Sequence, residues 1–155
     1  MLCLMLAGCQ RIGVSSQKPT ESDAAQERVQ SFTCSHDQSK MEFEARGDQV
    51  LKTRQEMYWT LEELGIADNP DKDQVVQAIN DKLAQDYGSI DGVETEGTLE
   101  DGHVRMIVTI DYERADTDQL IEAGLLEQGE METQYVSLEK SEQELKKQGF
   151  ACQAD

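Results

Sequence analysis

The sequence predicts an α+β domain in which an antiparallel sheet of about five strands, a meander plus a hairpin, is packed by two main helices. Three observations carry that expectation. Apolar residues alternate at period two in several short runs. An Asp-Gly pair joins two of those runs, and two other segments carry apolar residues at helical spacing between favourable caps.

The first strands are read from Val29 to Cys34 and from Met41 to Ala45, where Phe32 aligns with Cys34 and Met41 with Phe43 and Ala45, joined through Ser35 to Ser39. Gly47-Asp48 turns the chain into a third run, Val50 to Trp59, whose end Met57-Tyr58-Trp59 is rich in β formers. Together these make the meander. Val93 to Leu99 and Val104 to Tyr112 flank Glu100-Asp101-Gly102-His103, the strongest hairpin signal in the chain. Val104, Met106, Val108, Ile110 and Tyr112 share one face, while Ile107 is the main apolar residue of the other, so one side should be packed and one wetter.

The first helix is expected after Asp68-Asn69-Pro70-Asp71-Lys72-Asp73, with Asn69 as N-cap, Pro70 in the first helical position, and Asp71 and Asp73 at the positive dipole end. Val75, Val76, Ile79, Leu83 and Tyr87 then fall on one face, and Gly88 ends the helix. These acids do not form a calcium loop, because no Gly stands at the sixth position and no Glu at the distal one. Leu120 to Leu126 reads as a short helix ending at Gly124 or Gly129. The last helix is capped by Ser137 and runs through Gln148, with Leu138, Ser141 and Leu145 inward, Gly149 as a left-handed stop and Phe150 as its hydrophobic contact.

Ahead of this domain, Met1 to Gly8 is apolar and ends in Leu6-Ala7-Gly8-Cys9, which resembles the lipobox of bacterial lipoproteins, with Cys9 as the residue that takes the lipid. The run contains no Lys or Arg, unlike the basic start of a signal peptide, so the expectation is a start codon assigned too late. Residues 1–8 are thus read as a signal-peptide remnant, 9–27 as lipidated cysteine and tether, and 28–155 as one globular domain. The tether is polar and without apolar period, and a flexible coil of that length spans roughly 20–25 Å. Two acyl chains are needed for stable anchoring, and the diacylglyceryl group implied by the lipobox resemblance supplies them.

Removing Cys3 with the signal and Cys9 by lipidation leaves Cys34 and Cys152, a pair expected to oxidise outside the cytoplasm; two unpaired thiols are the alternative. No Cys-x-x-Cys occurs, which disfavours thiol redox chemistry and a cysteine-rich zinc site. The 32 Asp and Glu against 14 Lys and Arg give a net charge of −18 spread along the chain. Such a surface repels phosphate backbones and anionic headgroups, so no nucleic-acid partner is expected. Solubility or a salty environment is the commoner reason for such a charge, and cationic partners stay open.

The order of lipobox, Gly47-Asp48-Gln49-Val50, Asp91-Gly92-Val93, Asp111-Tyr112, Val136-Ser137-Leu138 and Leu145-Lys146-Lys147-Gln148-Gly149-Phe150 resembles the YehR-like lipoproteins over roughly Ser31 to Cys152. That resemblance implies a compact α+β domain at the membrane and no assigned activity. The chain is more acidic than the family pattern, so surface ligands do not carry over.

No catalytic constellation is legible. His36 and His103 sit in expected turns, and no His-x-x-x-His, Gly-x-Ser-x-Gly or phosphate-cradling glycine loop is present. The expectation is no enzyme, no cofactor and no metal. Acidic pairs such as Glu62-Glu63 and Glu142 with Glu144 read as solvated faces. Tyr58, Trp59 and Tyr87 are the aromatics best suited to a recognition surface, with core packing as their commoner role. Two functions stay open: a noncatalytic module binding an envelope protein, wall polymer or cationic ligand near Trp59, and a structural or adhesin-like surface antigen without a small ligand.

Overall fold

The structure is a computed structural model that describes residues 28–66 and 71–155. The lipobox, Cys9, the tether, and Asn69 and Pro70 lie outside the described residues. The elements run β1 (Val29–His36), β2 (Ser39–Arg46), β3 (Gln49–Thr60), α1 (Lys72–Tyr87), β4 (Val93–Glu100) and β5 (His103–Asp111). They continue as α2 (Thr117–Glu122), a 3-10 turn (Gln128–Glu130), β6 (Met131–Glu132), β7 (Tyr135–Val136), α3 (Leu138–Lys147) and β8 (Ala151–Ala154).

Six strands form one sheet in the order β4-β5-β3-β2-β1-β8, and every neighbouring pair is antiparallel. β6 and β7 make a separate two-stranded sheet. The meander and the hairpin are therefore joined through β3 and β5. The turns follow from the residues that occupy them: Asp101 (φ 49°) and Gly102 (φ 80°) both take the left-handed conformation that a two-residue hairpin loop requires. β8 extends the sheet beyond the strands read from the sequence, its four residues lying along β1 with Cys152 opposite Cys34.

The register sets the core. Phe32 stands opposite Phe43, Phe43 opposite Thr53, Thr53 opposite Ile110 and Ile110 opposite Val93, one row across five strands. Phe43, Thr53 and Ile110 are buried, and Phe43 belongs to the same core cluster as Leu120, Leu126, Val136, Leu138 and Leu145 from the helical layer. Period-two alternation places Glu42, Arg54, Glu56, Arg105 and Glu96, from three intervening rows, on the opposite side. Ile107 lies among these charges and is itself buried. One packed and one polar face result, as the alternation predicts.

α1 begins two residues later than the sequence reading has it: Asp71, not Asn69, is the N-cap, its carboxylate accepting from the backbone N–H of Asp73 at 3.0 Å and of Gln74 at 3.2 Å. Val75 and Leu83 are buried on its inner side. Gly88 follows the helix in a right-handed conformation, so it ends α1 without the left-handed turn seen at Gly149 (φ 94°) after α3. α3 matches expectation, with Ser137 as N-cap and Leu138, Ser141 and Leu145 buried. Its start is tied to the β2–β3 turn, where Asp48 accepts from Leu138 N–H through its carbonyl at 2.7 Å and from Glu139 N–H through its side chain at 2.9 Å.

α1 lies directly on β4 at Gly97. A Cβ placed there would stand 2.5 Å from Ile79 Cγ2, and the Asn80 side chain clasps the same residue, donating to Gly97 C=O at 2.8 Å and accepting from Gly97 N–H at 2.9 Å. Ile79 Cγ2 sits one bond from Cβ on a branched side chain that cannot swing aside. Gly97→Val is therefore expected to lift α1 and cost about 1–3 kcal/mol, as overpacking does. Urea denaturation of the variant measures the loss.

Candidate functional site

A groove of about 540 Å³ runs along α1. Val75, Ile79, Leu83 and Tyr87 form its helical wall, Leu64 and Ile66 of the segment after β3 the opposite one, and Met106 of β5 lines it from the sheet. It arises because α1 packs on β4 with one flank and leaves the other uncovered. Leu64 is 38% exposed, one of few large apolar side chains so placed among the described residues. Asp71, Gln74, Lys82 and Asp86 supply the polar rim. The volume and the apolar lining with few polar groups are those of small-molecule sites.

The aromatic trio read from the sequence is not brought together. Tyr87 lines this groove, whereas Tyr58 and Trp59 line a separate open hollow with His36, Asp37, Gln38, Ser39 and Glu63. Being consecutive in β3, Tyr58 and Trp59 also project to opposite faces. Tyr58 donates to Glu56 at 2.6 Å on the polar face, and Trp59 is 38% exposed. The sequence reading missed Leu64, Ile66 and Met106 as site residues. The apolar pair of Leu64-Gly65-Ile66, lying between a strand and a helix cap, was the available signal.

The polar sheet face carries a continuous ladder. Lys40 donates to Glu42, Arg54 to Glu42 at 3.1 Å and Glu56 at 2.8 Å, and Arg105 to Glu56 at 2.9 Å and Glu100 at 3.4 Å. Hydrogen bonds from Arg105, Tyr58 and Arg54 hold the Glu56 carboxyl at about 2, well below the ordinary carboxylate range. Each charge in the ladder has an opposite partner within the sheet, which suits a stiff solvated face better than a site awaiting a ligand.

A third group of polar residues lies between the sheet and the helical layer. Tyr112 shares a hydrogen bond with Thr53 at 3.3 Å, and burial pushes its hydroxyl up to about 12. Glu130 accepts from Glu127 N–H at 2.8 Å, yet burial holds its carboxyl above the ordinary range. Ser141 Oγ is buried without a partner in strict hydrogen-bond geometry, though it lies near enough to Glu130 to favour its charge. A raised folded pKa means that this contribution to stability is complete below the unfolded value, about 4.3, and is lost as pH rises through the folded one. Glu130→Gln keeps the acceptor and removes the charge, so its melting temperature should exceed the parent's by a few degrees at pH 8 and match it at pH 4. Paired thermal melts at the two pH values check this.

Cys34 and Cys152 form a disulfide between β1 and β8. His36 packs against Phe150 at the end of β1, the ring centroids 5.5 Å apart and the planes tilted by 38°, and His103 begins β5. Among the described residues no group of three or more His, Cys, Asp or Glu is placed to hold a metal ion. Nor is any helix there long and apolar enough to cross a membrane.

A family model described as a protein of unknown function (DUF1307) matches residues 28–151. Among solved structures, the NMR structure of the E. coli YehR protein is similar at a TM-score of 0.60 and 22% identity, over 81% of this chain and 90% of that one. The NMR structure of a protein from Streptococcus pneumoniae TIGR4 is similar at a TM-score of 0.54 and 14% identity, over 96% and 99%. At such identities the likeness is one of fold. No curated protein matches the chain.

Proposed function

Because the chain belongs to the DUF1307 family, whose description assigns no activity, we propose from its own features that it is a lipid-anchored extracytoplasmic lipoprotein acting as a noncatalytic binding module. The groove along α1 carries the binding part of this reading. An apolar concavity of about 540 Å³ with Leu64 exposed beside it has the size and lining of a small-molecule site. It favours a binding module over a structural surface antigen, for which flat polar faces would suffice. The location rests on the lipobox resemblance at Leu6-Ala7-Gly8-Cys9 and is supported by the disulfide, which belongs to oxidising compartments. The domain would then face the outside, held at the cell membrane through the lipid on Cys9. An envelope protein or wall polymer at the hollow beside Trp59 would add to the groove without replacing it.

Two measurements test the two parts. Detergent phase partition of the chain expressed behind a bacterial lipoprotein signal peptide should place it in the detergent phase with a lipid mass on Cys9, and Cys9→Ala in the aqueous phase; lipid-free parent protein would refute the anchor. A thermal-shift screen against amphiphiles, peptides and wall fragments should give a saturable rise for one class. That rise should vanish in Ala78→Trp, which puts an indole into the groove from an exposed helical position. A response that survives this substitution would place binding elsewhere.

A further inference from the structure

We infer that the groove takes an elongated cationic amphiphile, its apolar body along α1 and its positive head at the Asp86–Tyr87 end; this rests on the groove being a binding site. Three features of the molecule select that chemistry. The lining positions of α1 run from Gln74 to Tyr87, about 20 Å at the helical rise. That length suits a single extended chain better than a compact solute.

The polarity of the ends is unequal. At the start of α1 the Asp71 carboxylate is spent on the backbone N–H groups of Asp73 and Gln74. At the far end the last turn contains no basic residue, so the partial negative charge of the helix terminus is uncompensated there. Asp86 adds a full negative charge, and the Tyr87 ring offers a π face of the kind that holds ammonium groups. Lys82 is the cation now paired with Asp86, but both side chains are substantially exposed, at 67% and 37%, so a ligand head can displace it at little cost. The net charge of −18 works in the same sense at long range, concentrating cations and repelling fatty acids and anionic headgroups.

The test is methyl NMR titration of the disulfide-bonded protein with octyltrimethylammonium, octyl glucoside and octyl sulfate, each below its micelle concentration. Octyltrimethylammonium should shift the methyls of Leu64, Ile66, Ile79, Leu83 and Met106 saturably, with an affinity at least about tenfold above the glucoside, a difference of 1.4 kcal/mol. The sulfate should not bind. Asp86→Asn should weaken the ammonium three- to tenfold and leave the glucoside unchanged, and Lys82→Gln should strengthen the ammonium by freeing Asp86. Equal affinity for ammonium and glucoside, or no effect of Asp86→Asn, overturns the cationic assignment while the groove stands as an apolar site. Ammonium shifts spread over surface carboxylates and absent from the groove methyls also overturn it. If no amphiphile moves those methyls saturably, the inference falls, whereas the binding module falls only if peptides and wall fragments also fail in the thermal-shift screen.

Discussion

Replacing Cys34 and Cys152 together by alanine is expected to lower folding stability by about 4–5 kcal/mol. The bond joins positions 118 residues apart, so it constrains nearly the whole domain in the unfolded state. Folded, it fixes a four-residue edge strand whose other ties are short, chiefly its pairing with β1 and the Thr33 hydroxyl, which donates to the Asp155 carboxylate just beyond it at 2.9 Å. Cys34 is itself 1% exposed within the core cluster, and alanine leaves a gap there. Urea denaturation should displace both the parent under reductant and the double variant to lower denaturant, the double variant further because it also carries the gap. A loss below about 1 kcal/mol would mean that the unfolded chain is already compact enough for the link to constrain little.

Phe43→Ala is expected to cost about 3–5 kcal/mol. Phe43 is 2% exposed at the centre of β2, faces Phe32 on one neighbour and Thr53 on the other, and packs in the cluster shared with Leu120 and Leu145. Truncation removes the ring and leaves a cavity that three β-strands and two helices cannot close without moving. Trp59→Ala is the control, since a residue 38% exposed near the end of β3 should lose far less despite its greater size. Equal losses at the two positions would mean that the centre of the core lies nearer β3's end than the burial pattern indicates. Chemical denaturation of both variants at one pH makes the comparison.

What was legible in the sequence is what local chemistry decides. Asp101-Gly102 announces its hairpin because few other pairs adopt positive φ at both positions. Ser137, Gly149 and Phe150 bound α3 for equally local reasons. The start of α1 shows the limit of such reasoning: Asn69 and Asp71 are both good caps two residues apart, and propensity does not choose between them. β8 was missed because Ala151-Cys152-Gln153-Ala154 has no periodicity of its own and becomes a strand through its pairing and disulfide with β1. β6 and β7, two residues each, are likewise tertiary products.

The site was less legible than the fold. Val75, Ile79, Leu83 and Tyr87 read correctly as one apolar helical face, but periodicity does not say how that face divides between a sheet and an open groove. The division depends on where α1 settles laterally, and Gly97 decides that by letting Ile79 approach β4. Met106 and Leu64 come from distant segments and meet only after that placement. Tyr58, Trp59 and Tyr87 were grouped by composition, and the pleat of β3 and the position of α1 separate them.

The clasp of Asn80 on Gly97 has a bearing on how many copies of this protein share a confined space. A sheet's outermost strand offers unpaired amides and carbonyls to any neighbour that brings a strand of its own, and such recruitment ends in dimers, swapped domains or fibrils. β4 is one such margin, and halfway along it both groups of Gly97 are already engaged by a side chain from the same molecule. An intruding strand would find the row interrupted, with Glu94 and Glu96 beside the break and Glu100 beyond it. The opposite margin, β8, is only four residues long. Crowded copies can therefore lie side by side without zipping together, which lets a β-rich fold stay monomeric at high local concentration.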